Sequence, residues 1–171
     1  MSESSDGVLP PRAFEPSVQF LGHNLAIAET YVRLNELGDT LFLKADLEPD
    51  CWRDYAGIGG VATTLKPDMY AVTFSDEYED YWFIEVDLAT EAPSQVITKC
   101  KRYIRYYQSG AEQRQSDVFP FVVWLVPDDK RKAVLQERMD SDLKDSPDIF
   151  RVVVAEEFEG LIRQGGNLTV K

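Results

Sequence analysis

Apolar and polar positions follow two periods along this chain, and the switches between them divide it into elements. From Gly22 to Leu37, the residues Leu25, Ile27, Ala28, Tyr31, Val32 and Leu34 recur at helical spacing and predict an amphipathic helix that Gly38-Asp39 ends. Thr40 to Ala45 reads as a short strand. Asp46 to Lys66 has no clear period; it reads as a crossing loop with room for one short extra strand. Asp68 to Phe74 and Tyr81 to Leu88 are apolar strands joined by a hairpin, Ser75 to Asp80. The second of these strands is apolar on both faces before it reaches Glu85, the pattern of a central strand covered on both sides.

Beyond the hairpin, Pro93 opens a helix to Ser109. Its buried stripe is Val96, Ile97, Cys100, Ile104 and Tyr107, with Lys99 at the border and Lys101, Arg102 and Arg105 outside. Phe119 to Val126 (FPFVVWLV) is the continuous apolar run of a fully buried parallel strand. A charged helix follows from Asp128 to about Leu143, then a strand from Ile149 to Val154 and a helix from Glu156 to Arg163. This order predicts an α/β fold, a mixed sheet flanked by helices on both faces. Residues 1–16 read as a flexible arm, 17–164 as one domain and 165–171 as a tail.

Charge alters this picture in one place. The net charge is −12, which argues against a tight non-specific nucleic-acid binder, because neutralising phosphates takes a basic surface. The predicted second helix is the one dense basic surface, so any contact with DNA falls to Lys101, Arg102 and Arg105. Such binding would be weak alone and would call for a protein partner or a DNA-binding domain in trans. No apolar run has the length of a membrane span. The two cysteines, Cys51 and Cys100, form no metal pattern, and Cys100 lies on a buried stripe, which fits a free thiol in a reducing, cytoplasmic setting.

Candidate chemistry gathers between Pro67 and Tyr103. Asp68 opens one strand, and Glu85 and Asp87 lie near the end of the next, two residues apart and so on one face. Carboxylates on one face need a positive charge among them, either a divalent cation or a lysine such as Lys99. The residues alone leave these two answers open. Gly57 to Gly60 (GIGG) follows no strand and opens no helix, so it is not a phosphate loop. The acidic turn at Ser75 to Asp80 reads as a solvated tip. His23, the one histidine, reads as a capping or packing residue before a ligand or base. Roughly 120° of helix turn separates it from Glu29, so the two do not share a ligand. A relaxase-type tyrosine nucleophile needs a histidine metal cluster, which one histidine does not supply. Trp82 and Trp124 read as core, and Trp52 as core or as the mouth of a site.

The element order and the residues Pro67-Asp68, Glu85-Val86-Asp87 and Lys99-x-x-x-Tyr103 resemble the restriction-endonuclease-like PD-(D/E)xK nuclease superfamily. The resemblance implies that Asp68 and Glu85, with Asp87 as a third acid, hold Mg2+ or Mn2+. It departs where Asp87 stands in the lysine's place, which leaves Lys99 to supply the positive charge from the helix. Tyr103 would then position Lys99 or touch the DNA backbone, and Glu29 and His23 are accessory candidates. The chain resembles the replication-relaxation family of mobile elements more closely still. That likeness rests on His23-Asn24-Leu25-Ala26 with Tyr31 and Leu34, Pro67-Asp68, Phe83 to Glu91 (FIEVDLATE), and Lys99 with Tyr103, over roughly residues 20 to 127. It implies a role in plasmid replication or DNA relaxation, as a metal-dependent DNA nuclease or nickase, or as an inactive nuclease-like module that binds a protein partner. Members typically carry an N-terminal winged helix that this sequence does not show, in keeping with the expectation of weak DNA binding alone.

Overall fold

A computed structural model describes residues 17–75 and 78–166. The arm expected at 1–16, most of the tail, and Asp76 and Glu77 of the acidic turn lie outside the described residues. Five strands form a mixed sheet in the order β1-β4-β5-β6-β7. These are β1 (Phe42–Leu47), β4 (Met69–Ser75), β5 (Tyr78–Val86), β6 (Phe121–Val126) and β7 (Phe150–Val154). β1, β4 and β5 run antiparallel as a meander, and β5, β6 and β7 run parallel. A parallel pair needs a crossover. Helices α2 (Pro93–Ser109) and α3 (Ala111–Ser116) supply it between β5 and β6, and α4 (Asp129–Asp142) supplies it between β6 and β7.

Strand periodicity divides the core into two layers. Trp82 and Ile84 of β5 pack with Met69, Ala71, Val123 and Leu125 beneath α1 (Val18–Glu36) and α5 (Ala155–Gln164). Phe83 points the other way and packs with Tyr70, Val122 and Trp124 beneath α2 and α4. Glu85 has the parity of Phe83, so it also faces α2. β5 is the middle strand, as its two-sided apolar pattern predicted. Trp82 is fully buried, and its Nε1 donates to Thr73 Oγ1 of β4 at 2.7 Å.

Four expectations change. The α1 helix begins four residues before Gly22, capped by Ser17, whose hydroxyl accepts from the Phe20 N–H. Its inner face is Ile27, Thr30, Tyr31 and Leu34, whereas Leu25 and Val32 are 70% and 51% exposed. The predicted arc joined two adjacent stripes, of which the sheet covers one. β1 lies two residues later than predicted, because the amides of Leu41 and Phe42 are held in a turn on the Gly38 carbonyl. The stretch after Asp46 is a hairpin and not a crossing loop: β2 (Arg53–Ala56) pairs antiparallel with β3 (Ala62–Leu65) as a separate two-stranded sheet against α2. Gly59 and Gly60 at its tip adopt φ of 71° and 78°, where a side chain would be strained. The short α3 carried no periodic signal of its own. Cys51 and Cys100 are both buried free thiols.

Thr73→Val keeps the volume of the β4 side chain but leaves the buried Trp82 N–H without an acceptor. A loss of about 1–3 kcal/mol is expected in urea unfolding, with an unchanged m value. Stability equal to the wild type would show that this hydrogen bond contributes nothing net.

Candidate functional site

Glu85 is 1% exposed on the central strand. An ionised carboxylate at that depth needs donors on both oxygens. Helix α2 supplies them one turn apart: Lys99 Nζ donates to Glu85 Oε2 and the Tyr103 hydroxyl to Oε1. Asp68 arrives from the start of β4. Its Oδ2 accepts the Val86 N–H at 2.8 Å, and its Oδ1 lies 3.4 Å from His23 Nε2 and 3.9 Å from Lys99 Nζ. Four elements, α1, β4, β5 and α2, thus converge on one cluster. The cluster lies at the floor of an open cleft of about 320 Å³, walled by Phe20 and His23 of α1 and by the loop from Leu88 to Glu91.

The charges in this cluster pull against each other. Burial pushes the Glu85 carboxyl up from 4.5 to about 8, helped by the charge of Asp68 and opposed by Lys99 and Tyr103. Burial alone would lower the Lys99 ammonium, but Glu85 and Asp68 hold it above its ordinary value. Asp68 is also pushed up by burial, yet His23, Lys99 and the Val86 N–H outweigh this and hold it below the usual carboxylate range. The contact with Asp68 raises His23 above 6.5 against its own desolvation. The cleft floor therefore holds an ionised Asp68 and a charged Lys99 beside a Glu85 carboxyl that gives up its proton less readily than an ordinary glutamate.

Other residues singled out in the sequence fall elsewhere. Asp87 shares the face of Glu85, as its spacing predicted, but its carboxylate is committed. Arg131 of α4 donates from Nε to Oδ2 at 2.6 Å and from Nη2 to Oδ1 at 3.1 Å, and Oδ1 also accepts the Ala89 N–H. The same guanidinium bonds the Glu91 carbonyl, so Asp87 and Arg131 brace the loop that walls the cleft. Both oxygens of Asp87, the expected third acid, are thus engaged by Arg131, and one of them also by the Ala89 N–H. Tyr103 is fully buried on Glu85, so it positions the acid and does not touch DNA. Glu29 faces outward and pairs with Arg33 at 2.7 Å, away from the cleft. His23 sits in the second turn of α1 against Asp68 and does not cap the helix, because the helix starts earlier than its apolar pattern suggested. Trp52 lies beside the β2–β3 hairpin under Lys66 and does not line the cleft. Arg131 went unnoticed in the sequence, although it shares the i, i+4, i+8 stripe of Leu135 and Met139, which α4 buries.

Among the described residues, no three or more His, Cys, Asp and Glu side chains are gathered as a metal site. Mg2+ does not demand such a cage; one or two carboxylates, waters and a substrate phosphate suffice. Asp68 and Glu85 fit that requirement if Lys99, whose side chain is 29% exposed, moves aside. Asp87 does not fit, because Arg131 occupies both of its oxygens.

The fold and cleft define a mixed α/β domain with a buried acid pair and a partly exposed lysine. The chain belongs to the replication-relaxation family, whose model matches residues 3–122. That match contains Asp68, Glu85, Lys99 and Tyr103 but stops short of Arg131. No curated protein and no solved structure matches the chain. The described residues include no helix long and apolar enough to cross a membrane.

Two expectations follow from these ion pairs. Glu85 titrates at about 8 in the fold against 4.5, so the stability its proton gives is complete below 4.5 and is lost as pH rises through about 8. Lys99→Met removes the charge that holds Glu85 down and extends that loss to higher pH. Thermal unfolding should show a larger deficit for the variant at pH 9 than at pH 6, by on the order of 1 kcal/mol; equal deficits would contradict the coupling. Arg131→Met should cost about 3–5 kcal/mol by leaving Asp87 buried and unpaired, and Asp87→Leu/Arg131→Met should recover part of it. A double variant no more stable than the single one would contradict a closed ion pair.

Proposed function

We propose that this domain acts on DNA during replication or relaxation of a plasmid or other mobile element, as a divalent-metal-dependent phosphodiesterase that nicks the backbone. One observation carries the reading: Asp68, Glu85 and Lys99, from three different elements, meet at the floor of an open cleft. Perturbed titratable groups gathered in a cleft are what a catalytic site needs. The element order, with α1 before the meander of β1, β4 and β5 and with α2 crossing over to the parallel β6, supports a restriction-endonuclease-like core. Family membership supports the biological setting.

Asp68 and Glu85 would hold the ion, Mg2+ or Mn2+. When bound, it would lower the pKa of a water and offset charge on the scissile phosphate. Lys99, freed from Glu85, reaches the same cleft with Nζ and donates to the phosphate oxygen on which negative charge develops. Tyr103 keeps Glu85 oriented from beneath. His23 Nε2, whose proton Asp68 helps retain, faces the cleft from the opposite wall. The exposed Lys101, Arg102 and Arg105 would take flanking phosphates.

A second reading has its own support. Lys99 already stands between both carboxylates and pairs with them without an ion, which is what an inactive nuclease-like module with a protein partner would keep. Calorimetric titration with Mn2+, followed by nicking of supercoiled plasmid, separates the two. The nuclease reading expects binding that Asp68→Ala abolishes, Mg2+-dependent nicking, and a drop of about 100-fold or more in rate for Lys99→Met. A wild type that neither binds Mn2+ nor nicks the plasmid overturns it in favour of the inactive module.

A further inference from the structure

The β2–β3 hairpin has a surface that the cleft chemistry does not use. Its tip is tight: Gly57 N–H donates to the Val61 carbonyl at 2.8 Å and Gly60 N–H to the Gly57 carbonyl at 3.0 Å. That turn presents Ile58 and Val61 to solvent, 84% and 65% exposed. Nothing among the described residues covers them. A groove of about 450 Å³ runs between this tip and the last two turns of α2, with Tyr55 and Thr63 on one wall and Arg105 and Gln108 on the other.

The charge on these two elements is opposite to that of the rest of the chain. Residues 53–66 and 93–109 carry six of the 18 Lys and Arg residues and one of the 30 Asp and Glu residues. The one acid, Asp54, accepts the Thr64 hydroxyl at 2.5 Å within the hairpin. Helix α2 has no acidic residue at all. None of the ion pairs among the described residues involves Lys101, Arg102 or Arg105. A cationic helix beside an exposed apolar tip, in an otherwise acidic protein, suits a polyanion that also offers flat apolar surface between its phosphates.

We infer that the hairpin is a DNA-wedging arm: duplex DNA lies along α2, with its phosphates on Lys101, Arg102 and Arg105, and Ile58 and Val61 enter between base pairs. Apolar side chains inserted this way unstack a step and bend the duplex. This inference rests on the DNA reading above and adds how the substrate is held and deformed. The chain leads from β3 through Lys66 and Pro67 directly into Asp68, so only two residues separate the arm from the acid pair. Arg105 follows Lys99 by six residues, about 9 Å along the helix axis. One DNA strand covers that distance in about three nucleotides. Arg105, which lines the groove beside the tip, thus meets the backbone a few nucleotides from the cleft.

The test is fluorescence anisotropy with the full chain and a fluorescein-labelled duplex in EDTA, so that cleavage does not enter, together with a second duplex carrying 2-aminopurine. The expected outcome has three parts. The wild type binds, and 2-aminopurine fluorescence rises as bases unstack. Arg102→Ala/Arg105→Ala reduces the slope of log affinity against log salt by about 1.8, two phosphate contacts. Ile58→Ser/Val61→Ser, at exposed positions where folding is not at stake, leaves the salt slope unchanged, weakens binding about tenfold and abolishes the 2-aminopurine rise. Wild-type affinity and fluorescence in the tip variant would overturn the wedge while leaving metal-dependent nicking intact. A wild type that binds no duplex in EDTA but still nicks plasmid with Mg2+ would also overturn the arm alone. Loss of both binding and nicking would overturn both readings.

Discussion

Burial of Glu85 in the middle of the sheet is the constraint from which the rest of the arrangement follows. A carboxylate on the inner face of a central strand has no water to solvate it, so its partners must come from the layer that covers it. Lys99 and Tyr103 lie one turn apart on α2 and can both reach it only when that helix presents one face to the sheet. The acid therefore fixes the rotation of α2. That in turn turns Lys101, Arg102 and Arg105 outward. Asp68 contributes a second negative charge at the start of the neighbouring strand, and His23 closes the cluster from α1. One buried carboxylate thus ties together four elements that are distant in the chain.

The same face of the sheet has two further buried acids, and comparing them shows what is particular about Glu85. Asp87 is closed off by Arg131, whose side chain is 9% exposed. Glu112 of α3 accepts from Arg53 at 3.2 Å and from the Tyr106 hydroxyl at 2.5 Å, and Arg53 is 16% exposed. Both guanidiniums are largely sealed, and each pins one segment: Arg131 the loop after β5, Arg53 the base of the hairpin. Lys99 is the most exposed of the three cations and is a flexible ammonium rather than a rigid fork. It can leave its partner where the arginines cannot. This difference supports the proposed exchangeable cation at Glu85 and Asp68 and a purely architectural part for Asp87 and Glu112.

Much of this was legible in the sequence, for reasons that differ by element. The two-sided apolar run of β5 marked it as central, and the unbroken run of β6 marked it as parallel and buried. Asp68, Glu85 and Lys99 could be grouped because strand parity and helix spacing are local rules. The fate of Asp87 was not legible, because its partner Arg131 lies 44 residues further on and charged helices are normally read as solvated. Tyr103 was read as a positioning or DNA-contacting residue; only the packing of α2 decides between these. The hairpin was hidden because its strands are four residues each, mostly exposed, and joined by glycines. Two neighbouring apolar stripes on α1 could not be told apart without knowing which one the sheet covers.

The proposed nuclease function requires Lys99 to occupy, and to yield, the place of a divalent ion between Asp68 and Glu85. The most direct test is an anomalous-difference map from crystals of the full chain soaked in Mn2+ above pH 8, where Glu85 has released its proton. That function predicts one peak beside the Asp68 and Glu85 carboxylates, with Lys99 Nζ swung off Glu85 toward the cleft and Asp87 still clamped by Arg131. A map with no peak at this cluster, and with Lys99 still seated on Glu85, would contradict it.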